Sequence, residues 1–135
     1  MQFETKDSGV RVDFPSGMRR DIQVGKPRYD LIWRPMMKRD AELLARGAEK
    51  YGENNWMLAN SEEELTRFKA SAFRHFMQWI DGEVDEDHAA AARFNITAAE
   101  YLKAKLHEKK QVTESGQTAY IALTKETVGG VQTDN

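Results

Sequence analysis

Residues 81–95, DGEVDEDHAAAARFN, bring together five carboxylates, a histidine and an asparagine. With Asp85 taken as an N-cap, helical spacing places Asp87, Ala91, Asn95, Ala98 and Leu102 on one stripe, with His88 beside them. That stripe is otherwise apolar and is expected to face the core, where polar groups are costly unless they are paired or bind something. Glu83 joins the set if the phase of the preceding helix persists through Gly82. Carboxylates that converge without basic partners repel one another, and a divalent cation relieves the repulsion. An oxygen-rich set suits Mg²⁺ or Mn²⁺, and the cation in turn holds phosphates. The plain alternative is that Asp85, Glu86 and Asp87 are first-turn acids that favour the helix dipole.

Three helices are expected to position these groups. The first runs roughly from Met37 to Tyr51 and stops at Gly52, a natural C′ residue, with Met37, Ala41, Leu44, Ala48 and Tyr51 as its apolar stripe. The second opens with a capping box, Ser61 to Glu64, and continues to about Asp81. Its apolar face is Leu65, Phe68, Ala72, Phe76 and Trp79, with Phe73, Met77 and Ile80 as a second side, so it is expected to be largely buried, in part by another subunit. The third is expected from about Glu86 to Lys110, its basic end suiting a helix C-terminus.

The fold expected is all-α, an antiparallel helical bundle of residues 36–110. Residues 1–35, punctuated by Gly9, Pro15, Gly17, Gly25, Pro27 and Pro35, form an irregular arm with at most a short strand near Val10–Phe14. Residues 111–135 form a tail in which Thr118–Thr124 reads as a strand and the Gly-Gly end as mobile. A bundle of this size has a thin core, so a homo-oligomer, dimer or tetramer, is expected.

Other residues carry weaker signals. Glu42 and Glu49 share a face opposite the apolar stripe, where Glu42 and Arg46 also make a good surface ion pair. His75 flanks the buried face of the second helix as a ligand, a substrate contact or a hydrogen-bonded core histidine, and Arg74 lies away from that face, free to reach an anion. Lys50, Asn54, Asn55 and Trp56 lie at a helix end and the loop after it, where amides read base edges and an indole stacks; a capped helix with an anchoring Trp has the same pattern. Lys26 and Arg28 put two cations on an extended segment that suits phosphates. There is no Walker motif, GxGxxG or nucleophile elbow.

Composition excludes several classes. Twenty basic against 22 acidic residues, a net charge of −2, argue against a general nucleic-acid binder. The chain has neither a membrane-spanning run nor a signal-peptide core, and it contains no cysteine, so a soluble protein of a reducing cytoplasm is expected.

The strings KDSGVRVDF, GMRRDIQVGKPRYDL, LLARGAEKYGENNW, RFKASAFRHFMQW and GEVDEDHAAAARFNITAAEYLK resemble the phage and prophage family of dATP/dGTP diphosphohydrolases, N-terminal type. These are relatives of the MazG-like all-α nucleoside triphosphate pyrophosphohydrolases, and the resemblance covers about residues 5–106. It implies Mg²⁺- or Mn²⁺-dependent cleavage of a purine deoxynucleoside triphosphate to monophosphate and pyrophosphate. On the matching positions it implies metal ligands at Glu42, Glu49, Glu83, Glu86 and Asp87, with Glu49, Glu83 and Asp87 catalytic. Lys26, Arg28, Lys50 and Arg74 would hold phosphates; Asn54, Asn55 and Trp56 would meet base or sugar; His75, His88 and Asn95 complete the substrate site. The superfamily's ExxE and ExxD pairs are not reproduced, since Glu42 and Glu49 stand seven residues apart. A second reading is a nucleotide-binding protein without turnover, such as a phage sponge that sequesters a host signalling nucleotide.

Overall fold

A short hairpin begins the chain in the computed structural model, which describes residues 2–128, with side chains to residue 116. Strands β1 (Arg11–Asp13) and β2 (Arg19–Asp21) pair antiparallel, Val12 opposite Arg20. The expected single strand therefore has a partner, because Gly17 at φ 86° closes the turn and Phe14 N–H donates to the Met18 carbonyl at 2.9 Å. The chain divides into two compact units between Trp33 and Arg34. The first holds this hairpin and a 3₁₀ turn, Tyr29–Leu31.

The second unit is mostly helical: α1 (Arg34–Tyr51), a 3₁₀ turn (Asn55–Leu58), α2 (Glu62–Ile80) and α3 (His88–Val128). Gly52 ends α1 at φ 92°, its N–H donating to the Ala48 carbonyl at 2.8 Å. Ser61 caps α2 by accepting from Glu64 N–H at 3.2 Å, and the Glu64 carboxylate accepts from Asn60 N–H at 3.1 Å. These local devices stand where the spacing of residue types puts them.

The helices α2 and α3 form an antiparallel hairpin against which α1 packs more lightly. Its core is Ala59, Leu65, Ala99 and Leu102, with Phe68 and Leu106 packed against it. The stripe expected on α3 is inward: Ala91, Asn95, Ala98 and Leu102 are all buried. On α2 the inward line departs from expectation. Leu65 and His75 are its buried residues, whereas Phe73, Phe76, Met77, Trp79 and Ile80 are exposed. Among the described residues α2 packs on the small-residue face of α3, and its second apolar side stays exposed.

The last helix corrects two further expectations. It starts at His88, with Asp87 rather than Asp85 as N-cap: Asp87 Oδ1 accepts from Ala90 N–H at 3.1 Å. It also runs through Thr118–Thr124, the segment expected as a strand. Extending an existing helix adds one hydrogen bond per residue without a new nucleus, and this outweighs the β-propensity of a few residues. The Gly-Gly end lies outside the described residues.

Candidate functional site

The turn between α2 and α3 is built by backbone hydrogen bonds. Gly82, at φ 76°, donates to the Trp79 carbonyl at 3.1 Å, and Glu83 N–H donates to that of Gln78 at 3.0 Å. This Schellman pair stops α2 and leads residues 83–87 to the start of α3. His75, about one turn before the end of α2, thereby meets His88, the first residue of α3.

Both imidazoles are buried, at 8% and 2% exposure. Their Nδ1 atoms stand 2.9 Å apart, and His88 Nε2 lies 2.8 Å from Asp85 Oδ1. A carboxylate accepts only, so His88 carries its proton on Nε2 and donates to Asp85; His88 Nδ1 is then an acceptor facing the Nδ1–H of His75. Burial, and after it the Arg74 cation, lower the pKa of His75 and keep the ring neutral. The hydrogen bond from His88 holds Asp85 below the usual carboxylate range.

Around this pair the carboxylates converge in two overlapping groups. His75, Glu86 and His88 form one, and Glu83, Asp85 and His88 the other, each with donor atoms within 4.8 Å of one another. Among the described residues, neither the Glu83 nor the Glu86 side chain has an ion-pair or hydrogen-bond partner; Lys50 has its pKa raised chiefly by the Tyr51 hydroxyl and more weakly by the Glu86 carboxylate. Imidazole nitrogens and unpaired carboxylates fit a divalent cation.

Asp87 is differently placed. Arg39 grips its carboxylate through two bonds of 2.8 and 2.7 Å. The guanidinium, together with the cap bond from Ala90, lowers its pKa to about 2. Its carboxylate is thus a joint between α1 and α3 and is not among the convergent donors. Asp87→Asn keeps the cap and loses the ion pair, and is expected to cost about 1 kcal/mol. Asp87→Ala loses both, about 2 kcal/mol, so thermal melting of the two variants separates cap from ion pair. Equal melting temperatures would show that the cap contributes nothing.

The remaining candidates scatter. Asn95 donates to the Ala91 carbonyl of its own helix at 2.8 Å. Glu42 lies 3.7 Å from Lys38, and neither it nor Glu49 belongs to a donor group among the described residues. Lys50 Nζ sits 4.9 Å from the centre of the Tyr51 ring, and an Arg74 nitrogen lies 3.5 Å from His75 Nε2. Trp56 is an anchor, packed edge-on against Phe94 at 5.7 Å and Tyr101 at 5.2 Å. Beside it opens a groove of about 520 Å³, lined by Asp40, Leu44, Trp56, Arg93 and Phe94 among others. Asn54, in the left-handed region at φ 57° just before the 3₁₀ turn, and Asn55, the first residue of that turn, are both exposed. In the first unit Lys26 is 3.4 Å from Asp21, and Arg28 grips Asp30 at 2.8 and 2.6 Å.

Two participants escape a reading of sequence. Arg39 acts across 48 positions, and no local pattern announces that. Asp85 was readable only as a cap, although its i,i+3 spacing to His88 on a shared turn is a usable signal.

Fold and site together define a small, mostly helical protein with an imidazole–carboxylate donor set at the turn of a helical hairpin. The chain belongs to the family dATP/dGTP diphosphohydrolase, N-terminal, whose model matches residues 16–113. The name denotes a hydrolase. No curated protein and no solved structure compared with the chain matches it. No helix among the described residues is long and apolar enough to cross a membrane.

Proposed function

We propose that this chain hydrolyses purine deoxynucleoside triphosphates, dATP and dGTP, to monophosphate and pyrophosphate with the help of Mg²⁺ or Mn²⁺. The observation that carries the reading is the convergence of Glu83 with Asp85 and His88 at one helix turn, in a chain whose family bears that activity's name. The cation supplies charge neutralisation at the phosphates and acidifies water. Glu83 and Glu86 would hold it, and Glu42, Glu49 and Asp87 are the further acids that the resemblance to MazG-like enzymes implies. Lys50 and Arg74, both exposed and beside the cluster, are cations suited to phosphate oxygens, as are Lys26 and Arg28 in their own unit. His88 holds Asp85 in place by its Nε2–H and so keeps the turn in one conformation. The groove beside Trp56 has the volume of a nucleoside site; Asn54 and Asn55, which precede Trp56 and lie outside its lining, are the base-edge donors of this reading. Such an enzyme acts on the nucleotide pool of a host cytoplasm during phage growth.

The test is a panel of the eight common ribo- and deoxynucleoside triphosphates with Mg²⁺ or Mn²⁺, products resolved by ion exchange. Monophosphate and pyrophosphate from dATP and dGTP are expected. A folded protein that leaves every triphosphate intact, with metal present, would sink the reading.

The assembly proposed is a dimer or tetramer, supported by the apolar side chains that α2 leaves exposed, Trp79 at 53% and Ile80 at 57% among them. Phe76→Glu with Trp79→Glu is expected to reduce the sedimenting species to a single chain. A wild-type protein that already sediments as one chain contradicts the assembly.

A further inference from the structure

We propose that His75, His88 and Glu86 form a site for an imidazole-accepting divalent ion, of the Co²⁺ or Zn²⁺ class, which binds in preference to Mg²⁺ and ties α2 to α3. This goes beyond the hydrolase reading, because it needs no nucleotide and concerns the nitrogen side of the turn.

The first argument is geometric. The two Nδ1 atoms stand 2.9 Å apart. Two nitrogens each about 2.1 Å from one ion lie about 3.4 Å apart in a tetrahedral array, so the rings need to part by only about half an ångström. The rings stand close to chelating separation, and Glu86 brings an oxygen within 4.8 Å of a ring nitrogen of each histidine. Three protein donors with open positions left over is the pattern of an exchangeable rather than a closed site.

The second argument is the orientation of the rings. Asp85 accepts from His88 Nε2–H at 2.8 Å, which turns the Nδ1 lone pair toward His75. A carboxylate behind a ligating histidine, fixing its tautomer, is the usual support of a metal-bound imidazole. In the ion-free protein the two facing nitrogens share one proton. On binding, the His75 proton moves from Nδ1 to Nε2, so that both Nδ1 lone pairs face the cation and each ring stays neutral.

A third observation lies on the same helix face. Gln78, three residues after His75, buries an amide oxygen that has no hydrogen-bond partner among the described residues. A water on the ion would supply the donor it lacks.

Ion choice follows from ligand chemistry. Mg²⁺ demands oxygen ligands in near-ideal octahedral array, whereas imidazole nitrogen suits the later first-row ions. The turn would therefore distinguish two kinds of cation, a hard ion on the Glu83 side and a softer one on the His75 side, with Glu86 between them able to serve either.

The experiment uses the full chain, freed of metal and without nucleotide, titrated with Co²⁺ and followed by its visible absorption. Binding of one Co²⁺ per chain is expected, with no displacement by a hundredfold excess of Mg²⁺. Glu86→Gln, an exposed change that spares the fold, is expected to weaken Co²⁺ at least tenfold, and His75→Gln more so. Circular dichroism confirms that each variant is folded; if His75→Gln is not, Glu86→Gln alone decides. No Co²⁺ binding, displacement by Mg²⁺, or equal affinity in wild type and Glu86→Gln would each overturn the proposal.

Discussion

Glu83→Gln is expected to reduce dATP and dGTP hydrolysis by about a thousandfold, equivalent to ~4 kcal/mol of barrier. The size follows from what the carboxylate does in the proposed reaction. It holds the charge that neutralises the triphosphate, and glutamine keeps its shape while losing its charge. The fold should be indifferent to the change. The side chain is exposed, and the structural role of the residue is its backbone N–H on the Gln78 carbonyl, which glutamine retains. Glu42→Gln provides the comparison. That residue lies beside Lys38 on α1, outside both donor groups of the described residues, and its replacement is expected to cost less than tenfold. Kinetics of the two variants on dATP, with circular dichroism as the fold control, read the outcome. If Glu83→Gln keeps more than a tenth of wild-type turnover, the acid does not hold the reaction's cation.

Leu102→Ala is expected to be the most damaging single change to stability, at about 2–5 kcal/mol. Leu102 is the largest wholly buried side chain of the described residues, at 0% exposure. Its neighbours in the core are Ala59, Leu65 and Ala99, with Phe68 and Leu106 at the edge. Alanines have no side-chain freedom with which to collapse into a void, so the cavity term stays large. For a chain of this length each kcal/mol corresponds to about 4 °C, so a fall in melting temperature of some 8–20 °C is expected. A fall of less than about 3 °C would mean that the α2–α3 contact is not where the stability resides.

Both predictions hinge on the α2–α3 hairpin, and much of it was legible in the residues. Ser61 with Glu64, Gly52 and Gly82 announce helix ends through chemistry confined to a single turn. The buried line Ala91, Asn95, Ala98 and Leu102 announces itself through period, since only one face of a helix can be apolar and inward. The same logic failed on α2. There two apolar faces compete, and His75 rather than Phe76 takes the inward place, because α3 presents alanines at that level and a polar partner in His88. The tail failed for another reason: a long helix already under way carries Thr118–Thr124 along with it, which no window of seven residues reveals.

The site divides along the same line. Sequence by itself determined that the turn after α2 is rich in acids, that His88 and Asn95 lie on an inward face, and that caps bound the helices. These are consequences of neighbours one to four residues apart. Only the tertiary structure decided which acids remain unpaired. Arg39, 48 positions away, takes Asp87 out of the donor set; Asp85 becomes the support of His88; and His75 is brought to 2.9 Å of that ring. The reason is physical: a carboxylate's role depends on which charge reaches it first, and the charges that reach these acids come from helices whose packing no local spacing encodes.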